Sequence, residues 1–164
     1  MASFDAYLQI EGVPGEATES KHADWIELTS IGHEVRQPTS STKGSAGGGS
    51  TGRSVHSPFT ITKYLDKATP KLYEAVSSGK HFKKIKIEVN RAGGDKVKYY
   101  EITMEEVIIS SVSTSGHSGG DELPTESVSF DYGKIEWTYT QQKRADGSGG
   151  GNVAAKWSVT EGKV

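Results

Sequence analysis

Between Gly44 and Ser54 the chain reads GSAGGGSTGRS, in which Gly47, Gly49 and Gly52 satisfy the G-x-G-x-x-G dinucleotide fingerprint. Gly47 to Ser54 also fits a P-loop, with Arg53 where the lysine should stand. Both motifs hold phosphate on backbone N–H groups at a helix N-terminus, so each needs a buried strand before the glycines and a helix after them. The flanks supply neither. Polar RQPTSSTK precedes the run, and VHSPF follows it, where Pro58 lacks an N–H and biases Ser57 away from helix. A pliable or partner-ordered loop is expected in place of a nucleotide site.

GHSGG at Gly116–Gly120 matches G-x-S-x-G, with Ser118 in the nucleophile position and His117 and Asp121 nearby. That elbow works at a sharp strand-to-helix turn. Here Pro124 and another alternating segment, ESVSF, follow, and a catalytic triad must converge in space and not merely in sequence. A solvated hairpin loop is the expectation. The histidines His22, His33, His56, His81 and His117 show no metal-ligand spacing. His22 and His81 stand beside lysines and read as surface or interface residues. Glu105 and Glu106 are adjacent, so on a strand they point to opposite faces. KHFKKIK reads as a solvated strand face. No constellation argues for catalysis, a cofactor or a metal.

The elements that would position these residues are mostly strands. In KKIKIEVN, Ile85, Ile87 and Val89 alternate with Lys84, Lys86 and Glu88; in ESVSFDYG, Val128, Phe130 and Tyr132 oppose Ser127, Ser129 and Asp131. Ile135, Trp137 and Tyr139 likewise oppose Glu136, Thr138 and Thr140. Period two marks half-buried strands. Further strands are predicted at Phe4–Ile10, Trp25–Val35, Phe59–Leu65, Val97–Met104, Val107–Ser113 and Val153–Val159, with a hairpin turn at Ala92–Asp95. One segment breaks the period. DKATPKLYEAVSSGK offers Thr69 as N-cap, Pro70 at the first helical position and Gly79 as C-cap, with Leu72, Ala75, Val76 and Gly79 on one stripe. This predicts one short helix plugging the mouth of a mainly β fold.

With 164 residues and no cysteine, the chain reads as a single domain, 1–164, without disulfides or thiol chemistry. Hydrophobic residues make up only 33%, which fits long polar loops or a subunit that completes its buried surface against partners. Lysine and arginine total 19 against 21 acidic residues, so no basic excess points to nucleic acid. No apolar run reaches the roughly 18 residues of a membrane span, and MASFDAYLQIEG lacks the basic and apolar regions of a secretory signal. Synthesis in the cytoplasm, with any export by a leaderless route, is expected. Glycine concentrates in stretches 43–54, 115–120 and 147–151, which hold twelve of the twenty.

Together these segments resemble one family, the haemolysin-coregulated proteins (Hcp), tube subunits of bacterial type VI secretion systems. The resemblance starts at YLQIEGVPGEATESKHADWIEL, a strand leading into G-E-x-x-x-x-x-H and a second strand. It continues through FTITKYLDKATPKLYEAVSSGKHF, with its D-K-x-T/S-P helix start and S-S-G-K-H helix end, and through the E-x-V-x-F strand near Glu126. The tail, AAKWSVTEGKV, departs by carrying Lys156 where many relatives have glycine before the tryptophan. The resemblance implies a small β-barrel of two packed antiparallel sheets with one flanking helix and long loops. It implies homohexameric rings that stack into a hollow tube, a contractile sheath around it, a spike protein at its tip and effector proteins carried in the lumen. Neither membrane insertion nor nucleic-acid binding belongs to that role.

On this reading Ser30, Gly32 and Glu34 are expected opposite Ile31 and Val35, facing the lumen. The Gly/Ser-rich loop 38–56, with Lys43, Gly47, Gly48, Gly49 and Arg53, is expected to meet the next ring. Ser78, Lys80 and His81 are expected at the contact between subunits. Two other readings stay open: a monomeric β-sandwich that binds a ligand or carbohydrate on exposed Trp25, Trp137 or Trp157, and a hydrolase using Ser118. Mass in solution separates them, since only the tube subunit predicts six copies.

Overall fold

A computed structural model describes residues 4–39, 52–92, 97–120, 122–142 and 149–164. The alternating segments become strands β1 (Phe4–Ile10), β2 (Ile26–Leu28), β3 (Ser30–Gly32), β4 (Val35–Arg36), β5 (Val55–His56) and β6 (Phe59–Tyr64). Helix α1 (Thr69–Ser78) follows, then β7 (His81–Arg91), β8 (Lys98–Ser115), β9 (Thr125–Asp131), β10 (Lys134–Gln142) and β11 (Gly149–Ser158). Nine strands form one sheet in the order β2-β1-β7-β8-β9-β6-β3, with β10 on β8 and β11 on β10. Strands β4 and β5 form a separate two-stranded ribbon. Every strand pairing among the described residues is antiparallel.

Period two explains which side is buried. Ile85, Ile87 and Val89 of β7 stand opposite Ile10, Leu8 and Ala6 of β1, and all face one hydrophobic cluster that also takes Ile61, Phe59, Val128 and Phe130. The expected barrel is loose as a description, because the seven-strand path from β2 to β3 has two ends and does not close into a circuit. Those ends are successive stretches of one segment. Ile26, Leu28 and Ile31 turn toward the core at spacings of two and then three, so the alternation changes phase at Thr29. There the chain leaves β1 for β6, and the Thr29 N–H donates to the Thr62 carbonyl at 2.7 Å. The single strand predicted over Trp25–Val35 is therefore three.

The reverse happens in β8, where two predicted strands are one of 18 residues. Its partner on one side changes from β10 to β9 around Glu106, whose φ is +56°. The Gly133 N–H donates to the carbonyls of Glu105 and Glu106 at 3.0 and 3.2 Å, and a Cβ at Gly133 would sit 2.2 Å from Glu106 Oε2. The two glutamates are thus not neighbours on a regular strand; they form the bend that lets one strand serve two neighbours. The hairpin joining β7 and β8 is present, with the Arg91 N–H on the Val97 carbonyl at 3.1 Å, while most of its predicted turn lies outside the described residues.

Gly79 ends α1 as predicted, at φ +64° with the left-handed geometry that glycine adopts without strain. The N-cap is different. Ala68 occupies it, Thr69 is the first helical residue, and Pro70 is the second and not the first. The Thr69 hydroxyl is used elsewhere, accepting from Lys63 Nζ and the Asp66 N–H, both at 3.2 Å, and donating to Glu126 Oε2 at 2.8 Å. Leu72 and Ala75 lie on the core beside β8, with Val76 partly buried next to them. No helix among the described residues is long and apolar enough to cross a membrane.

Candidate functional site

Strands β3, β6, β9 and β8 lie side by side, and their register decides which outward side chains meet. Ser30 stands opposite Thr62, Thr62 opposite Ser127, and Ser127 opposite Ser113. One row along, Gly32 meets Thr60, Thr60 meets Ser129, and Ser129 meets Ser111. The inward positions between these rows are Ile31, Ile61, Val128 and Val112, which pack on the core. A bulge in β8 makes the alignment possible. Ile109 pairs with Phe130 and Ser111 with Ser129, so Ser110 is the extra residue. Without it Ser111 would turn inward and Val112 outward. The Ser110 hydroxyl donates to the Ser129 carbonyl at 3.2 Å.

The result is a face four strands wide, about 15 Å at strand spacings near 4.8 Å, carrying hydroxyls, one glycine and no charge across both rows. Ser30, Gly32, Ser111 and Ser113 are exposed; Thr60, Thr62, Ser127 and Ser129 are half-buried. Thr60 and Ser129 hydroxyls lie 3.4 Å apart. Each hydroxyl can donate and accept, so the face hydrogen-bonds any polar surface without selecting for sign of charge. The outward face of β7, β8, β10 and β11 is its opposite in character. There Lys84, Glu105 and Lys134 follow one another in one row across β7, β8 and β10, and Lys86, Thr103, Glu136 and Lys156 in the next across β7, β8, β10 and β11. The Lys86 ammonium lies 3.5 Å from Glu101, which Lys98 also pairs.

The predicted site residues divide. Ser30 and Gly32 lie on the hydroxyl face, where a Cβ at Gly32 would approach only the Thr60 carbonyl, at 3.9 Å. Glu34 lies beyond the end of β3, exposed, its carbonyl accepting from the Ser57 N–H at 3.1 Å. Val35, expected in the core, is 42% exposed, because the chain leaves the sheet after Gly32 and pairs Val35 with His56 in the β4–β5 ribbon. That ribbon is the base of the predicted 38–56 loop, and Arg53 is described just before β5. Strand, not helix, follows the glycines. Lys43, Gly47, Gly48 and Gly49 lie outside the described residues. Ser78, Lys80 and His81 are exposed where α1 gives way to β7, with the Lys80 ammonium 5.4 Å from the Phe82 ring centroid.

His22 is a correction. It is 2% exposed and not a surface residue, because Glu19 faces its Nδ1 and Glu88 Oε2 lies 2.5 Å from its Nε2. The GHSGG residues sit exposed in the loop between β8 and β9, with Asp121 outside the described residues. Among the described residues no three metal-binding side chains converge. The tryptophans offer no open platform. Trp137 and Trp157 pack against the core while lining a cleft of about 760 Å³ with Val35, Arg53 and His56, and Trp25 meets His22 edge-on at 4.7 Å. Sequence reasoning missed Thr60, Thr62, Ser111 and Ser113, although FTIT and SVS carry the alternation that places them.

Residues 7–139 match the family described as type VI secretion system effector, Hcp. The chain is similar to protein hcp1 of Pseudomonas aeruginosa, 41% identical over 104 residues, which are 63% of this chain and 64% of that protein's length. It is 33% identical to the major exported protein of the same organism over 132 residues, 76% of this chain and 74% of that one. Among solved structures, one described as a type six secretion system protein superposes with a TM-score of 0.92 at 30% identity, covering 98% of this chain and 99% of that one. Hcp1 of Salmonella typhimurium superposes at 0.82 with 25% identity, each chain covered to 99%.

Proposed function

Because this chain belongs to the Hcp family of type VI secretion proteins, we propose that it is a ring-forming tube subunit whose neutral hydroxyl face lines the passage for exported effector proteins. Six copies close a ring, rings stack, a contractile sheath drives the tube outward behind a spike, and the chain leaves the cell by that route. The name of the Pseudomonas aeruginosa relative, major exported protein, supports export. The observation that carries the lumen assignment is the absence of charge across the rows Ser30–Thr62–Ser127–Ser113 and Gly32–Thr60–Ser129–Ser111. A wall that must hold a cargo and then release it is served by many weak hydroxyl contacts, each contributing about 0.5–1.5 kcal/mol. Fixed charges would hold oppositely charged cargo too tightly and repel the rest.

Gly32→Arg and Ser127→Glu are expected to leave the ring intact by light scattering and to lower effector co-purification at least tenfold, about 1.4 kcal/mol. Unchanged capture in an intact ring would remove the face from the lumen. A ring of identical subunits uses heterologous contacts, and the exposed segment with Ser78, Lys80 and His81 is proposed as part of one. The 38–56 loop, with Lys43, Gly47, Gly48, Gly49 and Arg53, is proposed to meet the next ring. Deletion of Gly44–Gly52 is then expected to spare the hexamer and reduce ring stacking in sedimentation. Collapse to monomers would contradict that role.

A further inference from the structure

His33 and His56, 23 residues apart, converge on one phenol: His33 Nε2 and His56 Nδ1 each lie 2.7 Å from the Tyr132 hydroxyl. His33 leads into β4 and His56 lies in β5, the two strands of the small hairpin ribbon, whereas Tyr132 lies in the turn between β9 and β10 and is 9% exposed. Phe59 and Trp137 flank the His33 ring at 5.1 and 6.1 Å. Within the hairpin, Gly52 N–H bonds the Pro38 carbonyl and Ser57 N–H the Glu34 carbonyl. Among the hydrogen bonds of the described residues, the two to Tyr132 are those that join this hairpin to the main sheet.

A phenol carries one hydrogen. It can donate that hydrogen to one imidazole and accept an N–H from the other, so every hydrogen in the bridge has an acceptor only while at least one imidazole keeps a bare nitrogen. We propose that the His33–Tyr132–His56 bridge is an acid-released catch, holding the β4–β5 ribbon on the main sheet until both imidazoles have become imidazolium. With two imidazoliums the phenol hydrogen has no acceptor in the bridge, and two cations crowd one oxygen.

The electrostatics run the same way. Burial, and then the charge of His56, lowers His33 below its ordinary 6.5; burial lowers His56 from the same value. Burial, and then the charge of Asp131, raises the Tyr132 hydroxyl, so the phenol keeps its hydrogen. Arg53, Lys156 and Glu161 line the cleft beside His56, adding two cations and one anion to the surroundings. Imidazoles lowered in the docked state bind protons more readily once released. Docking is therefore complete above pH 6.5 and is given up as the pH falls through the lowered values.

The chain has no cysteine, so a fluorophore at Val55→Cys reports on the ribbon alone and one at Glu136→Cys on the main sheet. From pH 8 to 5, anisotropy at position 55 is expected to fall reversibly, with a midpoint below 6.5, while position 136 holds its value. Tyr132→Phe should give the low value at 55 throughout, and His56→Gln, which keeps an amide partner but only one imidazole, should give the high value throughout. A constant signal at 55, the same transition in His56→Gln, or a parallel fall at 136 would each overturn the catch. The readout lies within one subunit, so its failure leaves ring stacking and the tube reading untouched.

Discussion

Lys63→Met is expected to lower the stability of the folded chain by about 3–5 kcal/mol, the range for removing one partner of a buried ion pair. Lys63 is fully buried, and its ammonium lies 2.7 Å from Glu126 Oε2, 2.9 Å from Asp66 Oδ1 and 3.2 Å from the Thr69 hydroxyl. Those three acceptors tie β6 and β9 to the start of α1. Methionine fills similar volume, so little of the loss would come from a cavity. What remains is the Glu126 carboxylate, 1% exposed, with Oε1 already lacking a partner. A second change, Glu126→Leu, should restore most of the loss, since replacing both members of a buried pair by apolar residues is often neutral. Urea midpoints at one protein concentration measure both, which matters because assembly shifts apparent stability. A loss below about 1 kcal/mol for Lys63→Met alone would show that the pair is solvated and that the helix start is held by other contacts.

This node also explains why D-K-x-T/S-P and E-x-V-x-F, far apart in sequence, belong to one signature. Asp66, Thr69 and Glu126 are the three groups that a single buried ammonium requires. From sequence, Thr69 reads as an N-cap because capping is a local rule, and the competing demand comes from Lys63 and from Glu126, 57 residues on. The strands were legible wherever alternation is uninterrupted, as in β1, β9, β10 and the Ile85–Val89 stretch of β7. The phase changes at Thr29, at Glu106 and at the Ser110 bulge were not, because they are decided by the neighbouring strands and not by the segment itself. The hydroxyl face was half legible for the same reason. Ser127 and Ser129 stand out within ESVSF, but their union with Thr60, Thr62 and Ser30 needs the register of four strands. The His33–Tyr132–His56 bridge leaves no local trace at all.

Gly15→Ala and His22→Ala are each expected to cost about 3 kcal/mol, and the double variant less than about 1 kcal/mol more than the worse single. Both residues dock the segment 11–25 against the sheet, by different means. The Gly15 N–H donates to the Asp24 carbonyl at 2.8 Å, and a Cβ there would lie 2.4 Å from the Trp25 carbonyl oxygen and 2.6 Å from Ile26 Cα. These are backbone atoms, so no rotamer change relieves the clash and the segment must move off β2. His22 secures the far side, stacked on Tyr7 at 4.3 Å and bonded through Nε2 to Glu88 of β7. Burial, and then the charges of Asp5, Glu19 and Glu27, push the Tyr7 hydroxyl up to about 12, so that ring stays neutral beneath the imidazole. Moving Gly15 away pulls His22 from its carboxylates; deleting the imidazole frees the segment that the glycine holds close. Since either change undocks the same segment, the second has little left to remove. Full additivity in urea denaturation would mean that the G-E-x-x-x-x-x-H motif is two independent features rather than the two ends of one docked loop.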